Sequence, residues 1–455
     1  MFGLGLFGVN ALTFVAAVPG FLLLETFDPV SSSIPGSATA LAISAPLLAA
    51  SFVLSEAVLS ALVFRLVSRA VRPGWHSDTG AVAWALWFGE LVSENARALL
   101  FPLYATIYTR GWLRLHGIRV GKRTEVSTAQ GLSPLVTMGD TTFVADAPMF
   151  VTARRHRGWI QLESIEVGSR TFIGNGALLT GGTTIGDDSL IGVESTAPRH
   201  APDGTSWFGG PAIELPRVPE RTDPSRTTDP PRRIVLARGA TEIVRVLLPD
   251  TVSIVLATLV LIALDSIGAA AGTVALVAAA PFVILAASLC AVLFTIALKW
   301  LIIGRYRTGE HPLWSFFVWR DEIVNSCQEQ LAGDWLMNKA QGTALMGVYL
   351  RAMGAEIGRD VWCETLAVTE FDVVKVADGC AINRGAVLET HLFHDRLMRI
   401  GPNDLGAGST LGPHSATLPD TKLGAGCVVG GRSVVLRGEE LPANTRWHGA
   451  PVVGM

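Results

Sequence analysis

The chain has 455 residues, 49% of them hydrophobic and 16% charged, with a formal net charge of −3. That balance, with no basic stripe interleaved with aromatics, excludes a nucleic-acid binder, and a mean hydropathy of +0.41 points to lipid. The five cysteines (Cys290, Cys327, Cys363, Cys380 and Cys427) have no metal-ligand spacing, so no metal ligand set and no disulfide framework is expected.

In chain order, residues 1–72 hold two long apolar segments, 2–24 and 38–67, and residues 239–305 hold two more, 243–264 and 273–303. Each reaches the ~20 residues that a helix needs to cross a ~30 Å hydrocarbon core. The first lacks a basic start and a small-residue cleavage site, so it reads as a retained transmembrane helix rather than a signal peptide. Burial of both hairpins in a soluble core is the competing reading, and the near absence of charge in the segments disfavours it. Glu56 is the exception; it is expected to face a partner helix, and its counterpart in the second pair is Ala291.

Basic residues set the orientation. Arg65, Arg69 and Arg72 follow the second segment, Arg232, Arg233 and Arg238 precede the third, and Lys299, Arg305 and Arg307 follow the fourth. The turns carry Glu25, Asp28 and Asp265 instead. A multi-pass protein of the cell (plasma) membrane with its remaining domains on the cytoplasmic side is predicted. Residues 73–116 and 306–349 carry apolar and aromatic side chains at helical spacing, which predicts amphipathic helices at the membrane surface. Residues 214–238 are rich in Pro, Arg, Asp and Thr and read as a polar linker.

Residues 117–213 and 350–455 follow a different period. Val167, Ile173, Leu179, Ile185 and Ile191 recur every six positions, as do Leu405, Leu411, Leu423, Val429 and Val435 around Thr417. A small residue sits four places after each except Val435, and Gly often follows the aliphatic one. Six is neither a helical nor a simple strand period. It fits a parallel β-helix in which each hexad forms one side of a triangular coil and the aliphatic residue fills the axis. The two ladders are copies of one module: Gly412 and Gly174, Leu423 and Ile185, and Val429 and Ile191 are each 238 residues apart. Upstream, Leu350–Gly358 parallels Leu113–Gly121, and downstream Trp447–Pro451 parallels Trp207–Pro211.

Chemistry is expected where a segment leaves the rigid coil. The hexad register breaks after Leu388 and resumes at Leu405, and the excursion contains Glu389, His391, His394, Asp395, Arg396 and Arg399. An imidazole beside a carboxylate can serve as a general base at neutral pH, and arginines can hold a carboxylate or phosphate. His394 is the candidate base, oriented by Asp395 or Glu389 and supported by His391, with Arg396 or Arg399 on an anionic substrate group. Asn383 and His414 are further binding candidates. The first copy keeps His156 at the place of His394 but has Ala153 for His391 and Arg157 for Asp395. The second copy is therefore the expected working site and the first a degenerate one. A structural role for these histidines, bonding corner carbonyls, stays open at this point.

The hexads and the closing Arg446-Trp-His-Gly-Ala-Pro451 resemble the hexapeptide-repeat acyltransferases. That resemblance implies a left-handed parallel β-helix and acyl transfer from coenzyme A or a carrier thioester by a loop histidine. Paired apolar helices alternating with such domains, with the stretch Asn383–Arg396 and Leu411-Gly-Pro-His-Ser415, look like the membrane-bound terminal region of ε-poly-L-lysine synthetase-type nonribosomal peptide synthetases. The fold class implied is an α+β membrane protein: two transmembrane helical hairpins alternating with two left-handed parallel β-helix domains. The activity implied is amide formation between a carrier-bound aminoacyl thioester and a free amine. No bound cofactor is implied; the phosphopantetheine thioester on a donor carrier, or coenzyme A, is the co-substrate. The sequence shows two helix-pair modules where that family has three, and neither an adenylation signature nor a carrier-type Ser motif. Carrier and adenylation domains are thus expected as partners in cis or trans. Two other readings stay open: a non-catalytic membrane scaffold that docks those partners, and transport through four helices, which the lack of paired intramembrane charges disfavours. The rods either pair within one chain, where duplication gives a high effective concentration, or assemble with further copies.

Overall fold

A computed structural model of the chain describes residues 2–27, 34–217 and 222–455. It forms two compact units: Met1–Pro219 with Val235–Leu247, and Glu220–Ile234 with Leu248–Met455.

In the first unit, helices Phe2–Phe27 and Ile34–Ser68 are followed by a short strand, Gly74–Ser77, and helices Ala81–Leu99 and Ile107–Leu115. The last begins at Thr106, whose hydroxyl accepts from Tyr108 N while Thr109 caps back, satisfying amide donors that a helix start leaves open. The hexads then wind into parallel strands. Ile173 pairs with Ile191, Leu411 with Val429 and Val429 with Trp447, each one coil of three hexads apart. The aliphatic ladder fills the axis: Ile173, Leu179, Ile191, Leu411 and Val429 are fully buried. Corner hydroxyls bind the carbonyls of the adjacent coil, as from Thr142 to Gly168 (2.7 Å) and from Thr171 to Gly186 (2.8 Å). Gly412 is required by contact: a Cβ there would come within 2.6 Å of the Gly430 backbone.

The second unit repeats this order: strand Gly309–Pro312, helix Phe316–Cys327, a π-helical stretch Gln328–Met337, helix Ala344–Met353, and then the coil. The long helix Arg232–Ile302, whose residues Val235–Leu247 belong to the first unit, breaks at Gly272 (φ 82°), where two helices meet. The Leu276 side chain lies against Gly268, so the chain doubles back there, which fits the predicted pair of apolar segments. The structure places the start of this helix at Arg232, inside the stretch read as a polar linker, which also holds the short helix Pro224–Thr227. The cause is local: Pro231 caps the long helix at a position where its missing N–H costs nothing. Residues 218–221 of that linker, and Asp28 in the first helical turn, lie outside the described residues.

Among the described residues, three helices are long and apolar enough to cross a membrane. Their outer faces carry bare apolar side chains, among them Leu54, Leu62, Phe282 and Leu301, as a lipid-facing surface would. Glu56, on helix Ile34–Ser68, is fully buried, and neither carboxylate oxygen has a hydrogen-bond partner.

Candidate active site

The excursion from the second coil is a β-hairpin, not an irregular loop. His391–His394 pairs antiparallel with Leu397–Ile400, and Gly309–Pro312 adds a third strand along the other edge. Asp395 (φ 48°) and Arg396 (φ 64°) form the two-residue turn, both left-handed as a type I′ hairpin requires. Side chains alternate along a strand. His391 and His394, three positions apart, therefore lie on opposite faces.

His391 faces a buried carboxylate that the hairpin does not contain. Its Nδ1 lies 3.0 Å from each oxygen of Glu370. The Glu370 side chain is fully buried, whereas His391 keeps 17% of its side-chain surface. Thr369 Oγ donates to Glu370 Oε2 at 2.8 Å, and Thr390 Oγ sits on the same oxygen. These side chains meet because successive coils stack: the stretch around Val368 lies directly beneath Leu388. Glu370 is also in the left-handed region (φ 37°, ψ 54°), a conformation that costs of order 1–3 kcal/mol for a non-glycine residue and collects at functional sites.

A second carboxylate stands behind this pair. Asp321, buried on helix Phe316–Cys327, accepts from Tyr306 Oη at 2.7 Å and from Asn325 Nδ2 at 3.1 Å. Burial, and then the Glu370 charge, push its carboxyl up to about 8, so it is protonated at neutral pH. A protonated Asp321 needs an acceptor. Turning the Asn325 amide over supplies one, because the Asn325 oxygen otherwise has no partner. Burial opposes charge on His391, but the Glu370 carboxylate and its hydrogen bond outweigh that and raise the imidazole to about 10. For Glu370, burial pulls upward, and the His391 charge and hydrogen bond, with those of the threonines, bring it below the usual carboxylate range. The resting state is thus a Glu370–His391 ion pair beside a neutral Asp321.

Neighbouring contacts fix the turn that carries Glu370. Lys299, fully buried, donates to Asp372 at 2.7 Å, and Tyr306 N donates to the same carboxylate oxygen at 3.0 Å. From the π-helical stretch, Gln328 Nε2 donates to the carbonyls of Leu366 (2.9 Å) and Val368 (3.1 Å). π-Helical turns occur disproportionately at such sites.

The other sequence candidates are placed differently. His394 Nε2 is 3.8 Å from Asp395 Oδ2 at the hairpin tip. Arg396 is buried and donates to the Thr227 carbonyl at 3.2 Å, and Arg399 donates to Glu310 at 2.8 Å. The Glu389 charge adds to those that raise His391 and its carbonyl accepts from Asn403, Asn383 donates to the Leu411 carbonyl within the coil, and His414 is exposed at a left-handed corner. His391 thus has a fully buried carboxylate as its partner. Sequence reasoning missed Glu370, Asp321 and Tyr306. Among the described residues no cluster of His, Cys, Asp and Glu has the form of a metal site.

No family model matches the sequence. Over 468 aligned residues the chain is 33% identical to the delta-poly-L-ornithine synthetase of Acinetobacter baumannii (strain AB307-0294). That alignment takes in 99% of this chain and 35% of the relative, so the chain spans about a third of that protein's length. Among solved structures, a maltose O-acetyltransferase from Clostridium difficile 630 is 18% identical (33% of this chain, 96% of that chain, TM-score 0.28). A hexapeptide-repeat-containing acetyltransferase from Vibrio cholerae is 22% identical (23% of this chain, 65% of that chain, TM-score 0.21).

Proposed function

We propose that the chain is the membrane-embedded aminoacyl-transfer part of a poly-amino-acid synthetase, and that its second unit forms the amide bond. The observation that carries this reading is the buried Glu370 aligned on His391. Similarity along almost the whole chain to a polyornithine synthetase supports the substrate class, an amino acid joined to a growing amide chain.

Glu370 holds the Nδ1 side of the ring, which leaves Nε2 for substrate. In the proposed step, neutral His391 takes a proton through Nε2 from the acceptor amine as its nitrogen attacks the thioester carbonyl. The C–N bond forms, the tetrahedral oxyanion collapses and the C–S bond breaks. The imidazolium then returns the proton to the departing thiolate. Neutral Asp321 leaves the Glu370 charge as the principal partner of His391. His394 and Arg399, on the hairpin face away from His391, and Asp395 at its tip are proposed to touch the body of the donor rather than its reacting thioester, which arrives on a phosphopantetheine carrier or on coenzyme A. Arg396, with its bond to Thr227, is read as holding the hairpin. The reading includes left-handed coils, a cytoplasmic location for both, apolar helices that span the cell membrane, and carrier and adenylation domains as partners.

Membranes carrying the chain, given an aminoacyl-pantetheine thioester and the free amino acid, should form amide with the wild type and lose it with Glu370→Gln. Undiminished amide formation by a folded Glu370→Gln protein would move the reading to a docking scaffold.

A further inference from the structure

The first unit carries a feature that amide formation does not use: an open groove of about 510 Å³ where its second helix meets the first coil. Five cations line it, Arg65, Arg110, Arg114, Arg119 and Lys122, against one carboxylate, Asp140. That carboxylate already accepts from the backbone amide of Lys122, at 2.6 Å. Arg110 is fastened to the Gly121 carbonyl, which fixes one guanidinium in the groove, while Arg65, Arg114, Arg119 and Lys122 are exposed.

Its position matters as much as its charge. Arg65 lies in the last turn of helix Ile34–Ser68, and the apolar span of that helix ends at Ser68. A groove at the end of a membrane span sits at headgroup depth. The second unit does not repeat its charge: register places Trp300, Gly347 and Glu356 where the first has Arg65, Arg110 and Arg119, and keeps cations only as Arg351 and Arg359. Five like charges are not a by-product of the repeated fold, which forms without three of them.

We infer that this groove binds the phosphate of an anionic phospholipid headgroup. Guanidinium forks match phosphate oxygens in geometry and charge, and basic pockets beside membrane helices on the cytoplasmic side are suited to such headgroups. The inference rests on the membrane reading of the apolar helices.

The test uses the full chain, purified in detergent and transferred to bilayers of phosphatidylcholine with or without phosphatidylglycerol. Native mass spectrometry counts retained lipid. The wild type is expected to retain phosphatidylglycerol over phosphatidylcholine. Arg114→Gln/Arg119→Gln/Lys122→Gln should lose that preference by about fivefold per removed charge, on the order of a hundredfold in all. Lys422→Gln, an exposed cation on the second coil, should leave it unchanged. Equal melting temperatures in pure phosphatidylcholine establish that the triple variant is folded. Equal retention of both lipids by the wild type, or an undiminished preference in the triple variant, overturns the inference. So does displacement of the lipid by millimolar inorganic phosphate, which would make the groove a site for a soluble phosphate. Failure of the chain to enter bilayers at all would instead overturn the membrane reading.

Discussion

The same fold occurs twice in this molecule, and the two copies differ where the second has its candidate site. Strand register matches Tyr306, Asp321 and His391 with Val71, Leu86 and Ala153. Counting back from the paired strands Val374–Val376 and Val136–Met138, Glu370 and Asp372 fall at Leu132 and Pro134, in a turn one residue shorter. Lys299 corresponds to Phe64. Three polar pairs in one unit are thus apolar in the other. The first-unit residues still converge: Phe64, Val71, Leu86, Leu132 and Ala153 all line one cavity of about 240 Å³. A fold that accepts Leu and Val at these places does not need buried carboxylates for stability, since buried ion pairs give little that well-packed apolar side chains do not. The second unit keeps its charged groups for a reason other than packing, in keeping with the chemistry proposed above.

Making the second unit resemble the first should have its largest effect on turnover. Glu370→Gln and His391→Ala should each slow amide formation by about 10²–10⁴-fold, the usual contribution of a general base, measured as initial rate at saturating amine. Next comes stability. His391→Ala leaves the buried Glu370 charge unpaired and should cost about 3–5 kcal/mol, read from denaturant unfolding. The pair Glu370→Leu/His391→Ala copies the first unit and should recover most of that loss while remaining inactive. A double variant as unstable as the single would show that the comparison fails.

The pH dependence sharpens the same point. With the His391 pKa raised to about 10, activity should rise with pH along a limb above the ordinary histidine range, because the base works only when neutral. The stability linked to His391 runs the other way: it is full below about pH 6.5, the unfolded value, and is lost as pH climbs through about 10. Asp321, also raised, contributes stability below its unfolded value of 3.8 that is lost as pH rises through about 8. Asp321→Asn should flatten that part of the profile. The smallest effect is expected at the hairpin tip, where His394→Ala should change the rate by only about a fewfold, since His394 lies on the face away from Glu370. A loss as large as that of His391→Ala would restore His394 as the base.

Much of this was legible in the sequence, because hexads, apolar spans and a duplication of fixed spacing are periodic signals. Period alone places Ile173, Leu411 and Val429 on the coil axis, where all three are buried. The excursion was visible as a break in the period, but its hairpin form depends on strand Gly309–Pro312, four residues without apolar alternation whose partner is distant in the chain. Glu370 was hidden for a similar reason. It lies 21 positions before His391, and only the stacking of coils brings the two together. A signal was available nonetheless: aligning the two copies shows carboxylates at 321 and 370 where the first has leucines.

The most direct test is to perturb both units equally and compare single-turnover transfer from an aminoacyl thioester to free amine. Glu370→Leu/His391→Ala in the second unit is set against Leu132→Ala/Ala153→Gly in the first. The account predicts that the second-unit variant loses transfer while the first-unit variant, folded and membrane-bound, keeps the wild-type rate within about threefold, far from the 10²–10⁴-fold loss of a general base. Equal loss in both, or transfer retained without Glu370 and His391, would contradict it.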